Sequence, residues 1–178
     1  MTVAISSDLK LNAAINQQIG NEFGASLQYV CIANHFAEEG LPECCAFFTQ
    51  QGAEEHTHAM RFVKYVLDSG GHVEIPAIPA PKHAFKSVVD AIELSLSWEK
   101  EVTEQINRLM ELAVKENSFL TQNFLSWFLT EQVEEIATME TLLKVAQRAG
   151  SNVLLLEDFV AREGAKLRSG GASGAAAQ

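Results

Sequence analysis

The sequence predicts an all-α fold: a four-helix bundle with one long crossover loop and a short fifth helix at its C-terminal end. Three observations carry this. Helix breakers are scarce: four prolines and eleven glycines in 178 residues, with five of the glycines at or after Gly150. Four long segments repeat apolar residues at spacings of three and four, the period of one helix face. A fifteen-residue stretch with three prolines, HVEIPAIPAPKHAFK, separates the second segment from the third and cannot be helical. Apolar residues make up 47% of the chain, enough for a single domain with a sizeable core.

The first helix is expected from about Ser7 to Glu39, with Ser6 or Ser7 as its cap and Gly40-Leu41-Pro42 as its stop. The second is expected from Glu43 to Ser69, closed by Gly70-Gly71. The third starts after Ser87, with Asp90 completing a capping-box pattern, and runs to about Glu116. The fourth runs from about Leu120 to Ala149, where Gly150 stops it. A short amphipathic helix follows from Val153 to about Glu163, capped by Asn152. One domain is expected over residues 1–168, with a mobile Gly/Ala/Ser tail over 169–178. Short turns make helices one and two, and helices three and four, antiparallel neighbours. The Pro-rich connection, fully extended, reaches about 45–50 Å. A helix of 27 residues spans about 40 Å, so the connection can run the whole length of the bundle, which a structureless loop that long requires.

Composition excludes several functions. The net charge of −10 repels nucleic-acid backbones and attracts cations. No run of eighteen apolar residues exists, so no membrane span is expected. MTVAISSDLK lacks the basic and apolar regions of a secretory signal, and the expected compartment is the cytoplasm. Cys31, Cys44 and Cys45 form neither a disulfide framework nor a CxxC metal clip. They read as small core residues or idle thiols, and Trp98 and Trp127 as packing residues rather than redox relays.

The unusual feature is acid inside the apolar stripes. Glu22 falls in the stripe of Ile15, Ile19, Tyr29 and Phe36 on the first helix. Glu55 and His58, within GAEEHTHA, fall between Phe48 and Phe62 on the second. Glu99 lies between Leu96 and Val102 on the third, and Gln132 and Glu135 between Phe128 and Met139 on the fourth. Depths agree as well. Glu22 lies eighteen residues before Gly40 and His58 eighteen after it; Glu99 lies nineteen before Ser118 and Glu135 seventeen after it. Antiparallel partners equally far from their turn meet side by side, so the acids gather in one layer at mid-bundle. Buried anions without a counter-charge cost several kcal/mol each, and no Lys or Arg falls in the stripes at that depth. A cation must supply the charge. Hard carboxylate oxygens with one imidazole suit iron or manganese and also accept zinc. Glutamates on two helices with Exx[H]-type pairs on others form the di-metal pattern of carboxylate-bridged bundles.

Over residues 7–165 the chain resembles the bacterial non-haem ferritins of actinobacterial type, through NEFGASLQYV, GAEEHTHAM, WEKEVTEQINRL, FLSWFLTEQVEEIATM and GSNVLLLEDFVARE. The resemblance implies a ferritin-like bundle with a di-iron centre. Glu22, Glu55 and His58 would form its first iron site. Glu55, as a bridge, with Glu99 and Glu135 would form the second, and Gln132 would lie beside it. It implies a tyrosine next to the centre at Tyr29, and a third, inward site with mineral nucleation at Glu54, Glu131 and Glu134. It implies oxidation of Fe(II) by dioxygen or hydrogen peroxide, and ferric oxyhydroxide stored inside a hollow homo-oligomer of twenty-four chains. The short fifth helix would point inward around a four-fold axis, where Leu154, Leu155 and Leu156, too many for one face, bury one another between chains.

Departures from related patterns sharpen this. Bacterioferritins carry a second Exx[H] on the fourth helix, where this chain has Gln132-Val133-Glu134-Glu135, and a haem-ligating methionine where it has His56; haem is not expected. Animal ferritins place acids near the start of the fourth helix, where this chain has uncharged Phe119 to Asn123. A DNA-protecting mini-ferritin would need ligands shared between chains, and a rubrerythrin-type peroxidase extra glutamates and often a Cys₄ module; the intrachain ligand set and acidic charge fit neither.

Overall fold

The computed structural model describes residues 9–172, and their side chains as far as Leu167. Five helices follow one another: α1 (Leu9–Glu38), α2 (Pro42–Asp68), α3 (Val88–Lys115), α4 (Phe119–Ala149) and α5 (Leu154–Ala172). The expected cap at Ser6 or Ser7 lies outside the described residues. Three helix ends close alike: a left-handed residue lets the next amide reach back five residues. Gly40, with φ of 72°, precedes the bond from Leu41 N to Phe36 O. Gly70 and Asn117 do the same before Gly71 and Ser118. At the start of α3, Ser87 Oγ accepts from Asp90 N, while the Asp90 carboxylate accepts from Lys86 N rather than from the cap residue.

α1 packs antiparallel to α2, and α3 to α4. The crossover, residues 71–87, runs along α1 and is fastened by side-chain amides. Asn16 Nδ2 donates to His72 O at 2.8 Å, and Glu74 N donates to Asn16 Oδ1. Twelve residues on, Gln28 Nε2 donates to Lys82 O and accepts from Lys82 N, both at 2.8 Å. Each carboxamide pairs with extended backbone as a neighbouring strand would. Between them Gly20 leaves room for Pro76: a Cβ there would stand 2.4 Å from Pro76 Cγ.

Two apolar clusters fill the bundle. One holds Phe36, Phe47, Phe48, Ile92 and Met139; the other holds Ile15, Phe62, Ile106, Leu125 and Phe128. Leu156 and Val160 of α5 join the first cluster, so α5 covers that end against α2 and α4. α5 continues nine residues beyond the expected Glu163. Its inner stripe of Leu156, Val160, Gly164 and Leu167 keeps helical spacing past Glu163. The rest of the expected tail, residues 173–178, lies outside the described residues.

Candidate metal centre

Between the two apolar clusters lies one polar layer, to which each bundle helix contributes. α1 supplies Glu22, α2 Glu55 and His58, α3 Glu99, and α4 Gln132 and Glu135. Glu22 is 1% exposed and Glu99 0%, a depth almost never seen for unpaired acids. The stripes force this: one or two turns to either side on each helix lie apolar side chains that must be inside.

One ligand atom each from Glu22, Glu55 and His58 lies within 4.8 Å of the others. His58 Nδ1 is 3.2 Å from Glu55 Oε2. Among the described residues this is the one such group of three. Glu99 and Glu135 are buried in the same layer but are held by other hydrogen bonds. Tyr29 OH donates to Glu99 Oε1. Gln132 Nε2 donates to Glu99 Oε2 at 3.2 Å and lies within reach of Thr103 Oγ1. Gln51 Nε2 stands 3.4 Å from both Glu135 oxygens and 2.8 Å from Glu54 Oε2. Gln18 Nε2 donates to Glu22 Oε1 at 2.9 Å. Gln18 and Gln51 escape a sequence reading, because a buried amide is legible only once the carboxylate it serves is placed.

The electrostatics point one way. Burial raises the carboxyls of Glu22, Glu55 and Glu135 well above their ordinary range, and like charge raises them further. Burial raises Glu99 too, against the pull of Tyr29 and Gln132. The Tyr29 phenol is raised by burial and by Glu99, Glu55 and Glu135, so it stays a proton donor. Lysine and arginine pairs such as Lys64–Asp68 and Arg162–Asp158 lie on exposed faces. The layer is an anionic chamber whose neutralising charge comes from protons or from a bound cation. Two carboxylates and an imidazole that converge within 4.8 Å, with two more carboxylates buried in the same layer, have the donor types that suit iron.

Glu131 is buried, and its pKa is raised first by burial and then by Glu134 and Glu54, so the three acids assigned to an inward site share one region. Glu54 and Glu134 are half-buried, and Glu134 Oε2 is enclosed without a hydrogen-bond partner. His56 is exposed, its ring 5.4 Å from that of Phe23. The Trp127 ring meets that of His58 edge-on at 5.4 Å and carries the Arg61 guanidinium 3.6 Å above it.

The sequence of residues 12–149 matches the family model for the ferritin-like domain. The chain belongs to the ferritin family. It is 47% identical over 163 residues to ferritin BfrB of Mycolicibacterium smegmatis, covering 92% of this chain and 90% of that one. It is 39% identical over 145 residues to a bacterial non-heme ferritin of Staphylococcus aureus, covering 80% of this chain and 87% of that one. Among solved structures, an open pore ferritin from Archaeoglobus fulgidus superposes with a TM-score of 0.83 at 31% identity, over 86% of this ferritin and 96% of the archaeal chain. Family and neighbours make this ferritin an iron-storage protein of the bacterial type. No helix among its described residues is long and apolar enough to cross a membrane.

Proposed function

We propose that this ferritin is a ferroxidase: it oxidises Fe(II) at an intrachain centre and stores the ferric product inside a cytoplasmic shell of twenty-four chains. The observation that supports this best is the close approach of Glu22, Glu55 and His58 in a buried layer that also contains Glu99 and Glu135. Glu22 and His58 take one Fe(II), Glu99 and Glu135 take the other, and Glu55 serves both, with Gln132 beside the second. Each Fe(II) gives one electron, and the pair, with two protons, reduces dioxygen to hydrogen peroxide or hydrogen peroxide to two waters. The carboxylates offset the charge gained by the metals, and the protons they held leave as Fe(II) binds. Tyr29 holds Glu99 in place by its hydrogen bond and lies close enough to the centre to donate hydrogen or an electron. Glu54, Glu131 and Glu134 give oxidised iron a further set of oxygens as it leaves, and ferric oxyhydroxide grows from there.

Anaerobic titration with Fe(II), followed by oxygen, tests the reading. Two Fe(II) should bind per chain, and oxygen should produce a fast oxidation phase. Glu22→Ala or His58→Ala should lose one metal and the fast phase. Unchanged fast oxidation in Glu22→Ala overturns the assignment.

A further inference from the structure

The polar layer is closed along the bundle axis by the phenylalanine-rich clusters above and below it, so a hydrated cation reaches it only from the side. On one side, toward α2 and α4, stand the acids Glu54, Glu131 and Glu134. On the other, between α1 and α3, opens a groove lined by Asn21, Gln105, Glu101, Trp98 and the crossover prolines. A continuous line of hydrogen bonds joins that groove to the centre. Glu22 Oε1 accepts from Gln18 Nε2 at 2.9 Å. Gln18 Oε1 accepts from Asn21 Nδ2 at 3.2 Å. Asn21 Nδ2 also donates to Gln105 Oε1 at 2.9 Å, and Gln105 Nε2 reaches Glu101 Oε1 at 3.3 Å. Exposure falls inward along the line: Glu101 is exposed, Asn21 and Gln105 half-buried, Gln18 2% exposed.

We infer that this line of side chains is the route by which Fe(II) enters the subunit, with Glu101 as its acceptor at the mouth, the Gln105 and Gln18 amide oxygens as transit ligands, and Asn21 as the residue that positions both through its Nδ2 while its own Oδ1 accepts from Gln17. The inference rests on the centre proposed above. Carboxamide oxygens are neutral, hard donors: they replace water on a divalent cation but hold it weakly, as a transit path needs. Carboxamides relay protons poorly, so a proton wire is the weaker use of the same residues. The opposite face has carboxylates, which hold Fe(III) more tightly than Fe(II). The two sides of the layer thus differ in the sense that separates inflow of substrate from outflow of product. At the mouth, Arg108 pairs with Glu101 at 3.1 Å and lies 3.7 Å from Glu104. These groups are more than half exposed, so the pairs are weak and a divalent ion can displace the guanidinium.

The test follows loading of the assembled, full-length protein by Co(II) without oxygen, using quenching of Trp127 fluorescence in a Trp98→Phe background. Glu101→Gln should slow loading by about tenfold, the low end of the range for charge steering, and Asn21→Leu, which frees the Gln18 and Gln105 oxygens from their donor and narrows the route with an apolar side chain, should slow it too, with the equilibrium end-point unchanged. Asn21→Asp puts a carboxylate oxygen, a ligand for the cation, where Nδ2 now stands and should load at least as fast as the parent, and Arg108→Gln should load faster. Unchanged loading rates in Asn21→Leu and Glu101→Gln overturn the route. So does a weakened end-point with an unchanged rate, which would make the amides supports for Glu22 only. A Glu22→Ala control that keeps its full quenching amplitude would refute the metal centre itself, a separate outcome from a refuted route.

Discussion

Glu22 touches Gln18 by a hydrogen bond and faces Glu55 and His58, so in the metal-free protein its charge is a cost. Glu22→Gln keeps the shape and removes the ionisable group. It should raise the stability of the metal-free protein at pH 7 by on the order of 1 kcal/mol, while abolishing metal binding at the first site. The sign with pH follows from the raised carboxyl. Between its ordinary value and its raised folded value the native state holds a proton that the unfolded state has lost, so stability falls as pH rises through that window. The advantage of Glu22→Gln over wild type should therefore shrink as pH is lowered from 7 to 5, read from urea melts at each pH; a gap that widens is the contrary result. The same protons should appear in solution when metal binds. Anaerobic Zn(II) addition at neutral pH should release protons, counted by titrant, and Glu22→Gln should release fewer. Tyr29→Phe removes the donor to Glu99 Oε1 and leaves Gln132 on Oε2. It should change the lifetimes of oxidation intermediates in stopped-flow traces without altering the melting temperature by more than a few degrees; superimposable traces would reduce Tyr29 to a packing residue.

Element by element, the fold is held by a few contacts between segments distant in the chain. Gly20→Ala drives a methyl into the Pro76 ring, which cannot turn aside. It should lower stability by about 1–3 kcal/mol and loosen the crossover, seen as faster hydrogen exchange at Glu74 and Lys82, whose amides bond Asn16 and Gln28. Glu157 of α5 is a second such contact. Its carboxylate accepts from Glu43 N at 2.6 Å and Cys44 N at 3.0 Å, capping α2, whose own cap position is Leu41 with no side-chain bond. Glu157→Ala should cost about 0.5–2 kcal/mol and free the Cys44 thiol, which burial and Glu157 now raise, for faster alkylation by a maleimide. These cases mark how far the sequence could be read. Helix positions were legible because Gly40, Gly70, Ser87 and Gly150 punctuate a strong apolar period, and the carboxylate layer because its depth can be counted from each turn. The clamp of Asn16 and Gln28 on the crossover was not, since a carboxamide on a helix looks solvated until the strand it bonds is in place. Nor was the cap from Glu157, which comes from an element 113 residues away in the chain. α5 runs past its expected end because Gly164, helical and buried, lets the helix lie close to the core.

For the whole molecule, the surface states what the isolated chain leaves undone. Leu154 is 66% exposed and Leu155 54%, whereas Leu156 is 1% exposed and sits in the core with Val160. The sequence places all three as candidates for contacts between chains; the fold buries Leu156 within its own chain and leaves the first two exposed. Each leucine left wet forgoes about 1.5–3 kcal/mol, and four copies of the pair around one axis would recover it. Phe119 and Leu120 at the start of α4, 76% and 54% exposed, make a second apolar spot of the kind that marks subunit contacts. Leu156→Asp alone would unfold α5 from its own bundle and say nothing about assembly. Leu154→Asp with Leu155→Asp is the informative pair, since neither side chain belongs to the core. That variant should keep its helical circular dichroism and its Co(II) binding, yet give a smaller scattering mass or a shell that loses iron faster to a chelator. Wild type should scatter as a large hollow particle at micromolar concentration. If it elutes as a monomer or dimer there, the shell is refuted and the leucines need another partner, while the proposed metal centre, whose residues all come from one chain, is tested separately by Co(II) binding.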